Sequence, residues 1–115
     1  MNLAQKQRVF ARLVAKLLTK ANDLGFEVSI GEVWRPPETA QLYAKKGGGI
    51  ANSLHCDKLA IDINLFKGDL WLRRTKDHAE LGAWWEAQST ADYKCCWGGH
   101  FDDGNHYSIE HQGVR

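Results

Sequence analysis

Two short segments hold most of the residues in this chain that could do chemistry. One reads Ser53-Leu54-His55-Cys56-Asp57-Lys58-Leu59-Ala60-Ile61-Asp62-Ile63-Asn64, and the other Trp97-Gly98-Gly99-His100-Phe101-Asp102-Asp103-Gly104-Asn105-His106-Tyr107. Together they offer two histidines and a carboxylate able to hold one divalent metal, with a spare carboxylate beside the second histidine. Three protein ligands with an open fourth position are the arrangement of a catalytic zinc, whereas a structural zinc closes its coordination with protein. A carboxylate three residues before a ligand is placed to act as a general base on metal-activated water.

Each half also has a bland reading. Taken alone, His55 and Asp62 fit a surface hydrogen bond at least as well as a metal site, and Asp103-Gly104-Asn105-His106 fits a polar turn better. Asp62 is the harder one to dismiss. Leu59, Ile61, Ile63 and Leu65 alternate onto one face of a strand, while Ala60, Asp62 and Asn64 take the other. A carboxylate in the middle of such an apolar strand is costly unless partnered. The two halves together point to a metal.

The remaining reactive residues read more plainly. His78 is expected on an exposed helix face, while His100 and His111 each lie near a ligand candidate. Cys56 reads as a small buried side chain, because no base stands at a known spacing for a thiol nucleophile. The run Gly47-Gly48-Gly49 lacks the Gly-Lys-Ser/Thr ending of a phosphate loop and reads as a hinge. Trp84, Trp85 and Trp97 read as core and cleft wall rather than as a base-stacking platform.

The elements that must position these residues follow from periodicity. Residues 3–24 carry Phe10, Leu13, Val14, Leu17, Leu18, Ala21 and Leu24 at helical spacing, and Gly25 is a stop signal. Phe26 to Ile30 alternates as a short strand. Arg35 precedes Pro36-Pro37, which holds it extended, and a short helix is expected over 38–46. Leu59–Leu65 is a strand, and Lys67-Gly68-Asp69 turns into Leu70-Trp71-Leu72. A helix is expected over 76–88, with Thr75 as N-cap and Leu81, Trp84 and Trp85 on its buried side. Tyr107–Glu110 makes the last strand. This order predicts an α+β fold with a small antiparallel sheet flanked by helices.

Composition bounds the rest. The 115 residues make one domain, with 43% hydrophobic residues and five tryptophans for its core. A net charge of +1, with scattered cations, gives no long-range field for nucleic acid or an anionic membrane. No stretch has the length or apolarity of a signal peptide or a bilayer span. Cys56, Cys95 and Cys96 are an odd number and read as reduced thiols.

The pattern Ser-x-His-(x)6-Asp, followed by Trp-Gly-Gly and Asp-x-x-His, resembles the zinc D-Ala-D-Ala carboxypeptidase and L-alanyl-D-glutamate peptidase family. That family includes phage endolysins and shares its fold with the Hedgehog signalling domain. The likeness covers residues 24–110, and its wording is most similar to a phage or prophage endolysin. It implies a single zinc peptidase domain over 1–115, with His55, Asp62 and His106 as Zn2+ ligands and Asp103 as general base. It also implies that Arg35 binds and polarises the substrate carbonyl and that Ser53 contacts substrate. The expected activity is hydrolysis of the peptide stems of bacterial peptidoglycan, causing host cell-wall lysis. The expected bond is L-alanyl-D-glutamate; the alternatives are a D-Ala-D-Ala carboxypeptidase and a non-catalytic zinc-binding module. The expected form is a monomer without membrane insertion, held in the host cytoplasm until a separate holin gives it access to the wall. Two positions depart from the pattern. Lys58 stands where the family often has Gly, and His100 where Asp often follows Trp-Gly-Gly.

Overall fold

The computed structural model describes residues 1–47 and 53–115. Helix α1 (Leu3–Asp23) opens with a capping box: the Asn2 side chain accepts from the Gln5 backbone N–H, and the Gln5 side chain accepts from that of Asn2. Its apolar stripe of Val9, Phe10, Leu13, Leu17 and Ala21 is buried. The helix ends one residue before the expected limit, ahead of Gly25.

Five strands follow, interleaved with two shorter helices. They are β1 (Glu27–Ile30), α2 (Pro37–Lys45), β2 (Ala60–Lys67), β3 (Leu70–Leu72), α3 (Ala79–Glu86), β4 (Cys95–Trp97) and β5 (His106–Ile109). The sheet is antiparallel in the order β1-β2-β5-β4, with β3 also on β2. β2 is its axis. β5 pairs with Ala60–Asp62 and β3 with Leu65–Lys67, so the two partners occupy successive stretches of β2. The fold is α+β, as the order of elements predicts.

β2 separates core from site by the period of a strand. Ile61, Ile63 and Leu65 join Phe10, Leu13, Leu17, Leu81, Trp85, Tyr107 and Ile109 in one buried cluster. Trp85 is fully buried because its indole N–H has acceptors, the carbonyls of Cys96 and Ser108, each at 3.1 Å. Asp62, Asn64 and Phe66 project from the other face.

Several sequence expectations need correction. The helix predicted over 76–88 is a 3₁₀ turn (Thr75–His78) followed by the shorter α3. Thr75 does not cap it: its hydroxyl donates to the Asp102 carboxylate at 3.1 Å, while Asp77 accepts from the Arg74 backbone N–H at 3.0 Å. His78 is not exposed, since the 3₁₀ turn rotates it inward to a hydrogen bond of 2.8 Å with the Tyr107 hydroxyl. Trp84 and Cys56 are half-buried rather than buried. β4 is an additional strand, in which the neighbouring cysteines are free and enclosed. Of the glycine run predicted as a hinge, Gly48 and Gly49 lie outside the described residues.

Candidate metal centre

His55, Asp62 and His106 converge on the outer face of the sheet, each offering one donor atom within 4.8 Å of the others. Three separate local structures bring them together. Asp62 and His106 are direct cross-strand partners on β2 and β5, so the antiparallel register alone makes their side chains neighbours. His55 arrives on a tight turn before β2. The Ser53 hydroxyl accepts from the His55 backbone N–H at 3.2 Å, and the turn closes with Leu59 N–H on the Leu54 carbonyl at 3.0 Å.

The third structure is an irregularity immediately after β1. Gly31 donates to the Asp62 carbonyl at 2.8 Å, while Asp62 donates to the Glu32 carbonyl, also at 2.8 Å. Two residues therefore oppose one, as in a β-bulge, which re-aims the side chains that follow. A Cβ on Gly31 would lie 3.0 Å from the Asp62 carbonyl oxygen, so the approach favours glycine. Beyond the bulge the chain presents Glu32, the Val33 carbonyl and Arg35 to the cluster.

The distances suit a metal. Nε2 of His55 and Nδ1 of His106 each lie 3.3 Å from the same oxygen of Asp62. Bonds of about 2.0–2.1 Å to a tetrahedral ion would place neighbouring donors about 3.3–3.4 Å apart. The second shell is present for His55. Its Nδ1 is 2.9 Å from the Val33 carbonyl, so Nδ1–H donates and Nε2 faces the cluster, the arrangement that fixes a metal-binding tautomer. The other ring nitrogen of His106, Nε2, is buried and has no partner among the described residues. His106 thus reaches the cluster through Nδ1.

The cluster's electrostatics are those of coupled groups. Burial alone would raise the Asp62 carboxyl, but hydrogen bonds with His106 and His55 outweigh it and hold it at about 2. Asp62 is therefore an anion at neutral pH, as a ligand must be. Burial would lower His55, yet the contacts with Asp62 and the Val33 carbonyl raise it. Asp103 is raised, chiefly by desolvation in its loop and further by the charge of Asp62, against the opposing pull of His106 and His55.

The Trp-Gly-Gly segment accounts for the position of Asp103. Trp97 anchors the loop by donating its indole N–H to the Gly104 carbonyl at 2.7 Å, and Asp103 N–H bonds the Gly98 carbonyl at 2.9 Å. A Cβ on Gly98 would stand 2.2 Å from the Asp103 carbonyl and 2.8 Å from the His106 Cβ. Only glycine lets the Asp103 loop close onto the strand that carries His106.

Arg35 lies at the same edge. Its backbone N–H donates to the His55 carbonyl at 3.2 Å, and its guanidinium sits 5.4 Å over the Tyr43 ring. Nε, at 3.0 Å, and Nη2 both donate to Glu32 Oε1. Arg35 is thus paired with Glu32, and this leaves Nη1 without an acceptor among the described residues. Glu32 itself reaches within 3.8 Å of His55 Nε2. A bulge that turns Glu32 inward leaves no periodic mark in the sequence. Ser53 is buried beneath His55. His100 turns away to Glu86 at 2.8 Å, and His111 lies 3.3 Å from the Lys6 ammonium, so neither joins the cluster.

The His55, Asp62 and His106 group could hold a metal ion, with Asp103 and Arg35 carried on the adjoining loops. No protein-family profile matches the chain, and no curated protein matches it.

Proposed function

We propose that this chain is a zinc-dependent peptidoglycan hydrolase, cutting the L-alanyl-D-glutamate bond of stem peptides in the manner of a phage endolysin. The observation that carries the reading is the convergence of His55 and His106 on one oxygen of Asp62. Two local features support the likeness to the zinc peptidases. Lys58, where that family often has glycine, adopts the left-handed conformation with φ 58°, so the turn keeps a backbone that glycine would favour. The Trp-Gly-Gly glycine at 98 has a steric reason that involves both the base loop and a ligand.

A bound zinc ion would supply Lewis-acid polarisation of water and of the scissile carbonyl. Two histidines and a carboxylate also suit Fe(II), but a carboxylate base beside the cluster fits hydrolysis. Asp103 takes a proton from the attacking water and passes it to the leaving amine; its raised pKa suits both transfers. The Nη1 donor of Arg35 is available to the oxyanion of the tetrahedral intermediate. Val33 holds His55 in one tautomer throughout, and Asp62 remains ionised.

The engagement of Arg35 by Glu32 favours a second reading, a metal-binding module without catalysis. A D-Ala-D-Ala carboxypeptidase is the alternative within the same chemistry. Purified protein incubated with peptidoglycan, with and without a chelator, separates all three. Chelator-sensitive release of fragments with a new D-glutamyl amino terminus, identified by mass spectrometry, is the expected result. Loss of terminal D-alanine alone would indicate the carboxypeptidase. Intact peptidoglycan with a zinc-loaded protein would indicate the module.

A further inference from the structure

A cleft of about 260 Å³ lies beside the candidate centre. It sits where the partners of β2 change over: β5 pairs up to Asp62, β3 pairs from Leu65 onward, and Asn64 lines the cleft between them. Asn64 is two residues from Asp62 on the same strand face, so it lies ~7 Å along the strand; its amide donates one N–H to the Ser29 hydroxyl at 3.2 Å, which leaves the second for a ligand. One wall is the segment from Trp71 to Thr75, and the other is Asp102 to Asn105. The walls meet where the Thr75 hydroxyl donates to Asp102.

The cleft's cations differ in availability. Arg74 is engaged by Asp77, with Nε and Nη2 at 3.4 and 3.2 Å from its carboxylate oxygens. Arg73 has no carboxylate partner among the described residues. Its guanidinium stacks 4.5 Å over Trp71, whose ring in turn stacks on Phe66. The stack holds the guanidinium while leaving its planar fork of donors open, the geometry that suits a carboxylate. The opposite wall carries Asp102 and Asp103, so an anion can seat only at the Arg73 end.

We propose that Arg73 and Asn64 form a seat for a substrate carboxylate on the leaving-amine side of the scissile bond. The direction rests on the peptidase reading above: Asp103 lines this cleft, and in that reading it returns the proton to the leaving amine. A D-glutamyl residue on that side presents a free carboxylate close to the leaving nitrogen. Arg73 is thus a specificity-determining residue for an acidic peptide, separate from the metal ligands and the base.

Two measurements test this. In the first, the full ¹⁵N-labelled, metal-free chain is titrated with N-acetyl-D-glutamate while the Asn64 side-chain amide and the Arg73 Nε–H are followed by NMR. Saturable shifts at both groups, lost in Arg73→Ala, are expected. No shift at either would overturn the proposal, as would tighter binding of inorganic phosphate at the same groups. In the second, zinc-loaded protein is offered an alanyl-D-glutamate peptide and its α-amide. Wild type is expected to prefer the free carboxylate roughly tenfold in kcat/KM, the scale of a charge-assisted hydrogen bond at a partly exposed site. Arg73→Ala should erase that preference, mainly through KM, with zinc content unchanged. A preference that survives in Arg73→Ala would overturn the proposal. If wild type cuts neither peptide, the peptidase reading fails, and the titration alone decides whether Arg73 and Asn64 hold a carboxylate.

Discussion

Two buried histidine environments occur in this molecule, and they behave in opposite ways. His78 lies among core residues, bonded to a neutral hydroxyl, and burial drives its pKa down to about 4. His55 is as little exposed, yet its pKa is raised, because an ionised carboxylate and a backbone carbonyl face its two nitrogens. Burial by itself makes a histidine inert. A shared carboxylate, itself held ionised by the rings around it, makes a place for a cation. The strand alternation of β2 sets aliphatic side chains on one face and Asp62 on the other; the difference between the two histidines lies in the charge of their partners.

The largest effect is expected at Asp103. Asp103→Ala should keep the metal and lose ~10²–10⁴-fold in turnover, the usual worth of a general base. Elemental analysis together with kinetics on a defined stem peptide checks this. Metal loss would make Asp103 a ligand, and unchanged turnover would remove it from the chemistry.

The core side is sharpened by pH. An unfolded chain protonates His78 near 6.5, while the folded chain resists until about 4. The unfolded state therefore binds more protons across that window, so this residue's contribution is complete above pH 6.5 and is lost as pH falls towards 4. The loss amounts to at most about 3 kcal/mol. Urea denaturation with chelator present should show this slope in wild type and a flatter one in His78→Phe. Equal slopes would mean that His78 is not held neutral.

Much of this division is legible in sequence, and the parts that are not have physical reasons. The alternation from Leu59 to Leu65 places Asp62 correctly, because period-two burial fixes strand faces. The helical stripe of α1 is equally plain. His78 was misplaced because a 3₁₀ turn rotates each residue further than an α-helix does, so α-helical periodicity assigns the wrong face. β4 was missed because three residues, Cys95-Cys96-Trp97, are too few to show a period. Glu32 was missed as a neighbour of the cluster because the bulge at Gly31-Glu32 depends on hydrogen bonds to a strand thirty residues away. Long-range register brings Asp62 and His106 together, and no local pattern encodes it.

Gly98 allows the Asp103 loop to close on β5. Gly98→Ala should cost about 1–3 kcal/mol through forced backbone movement and should reduce turnover as Asp103 is displaced. Thermal unfolding and kinetics on the stem peptide check both. Wild-type values of both would show that the loop has room the close contact denies.

The smallest effect is expected at Lys58. A left-handed lysine is strained, and Lys58→Gly should relieve it, adding about 0.5–1 kcal/mol in chemical denaturation. A loss of stability would mean that the contact of its ammonium with the Trp34 ring, at 5.8 Å, outweighs the strain.

The proposed site stands on Asp62 joining His55 and His106 around one metal ion. It is tested most directly by calorimetric zinc titration of the chelator-treated protein beside Asp62→Asn, His55→Ala and His106→Ala. One zinc per wild-type chain is expected, with binding abolished or weakened by orders of magnitude in all three variants while the fold survives by circular dichroism. Wild-type affinity and stoichiometry in any one variant would remove that residue from the ligand set, and absence of zinc binding by the wild-type chain would contradict the account as a whole.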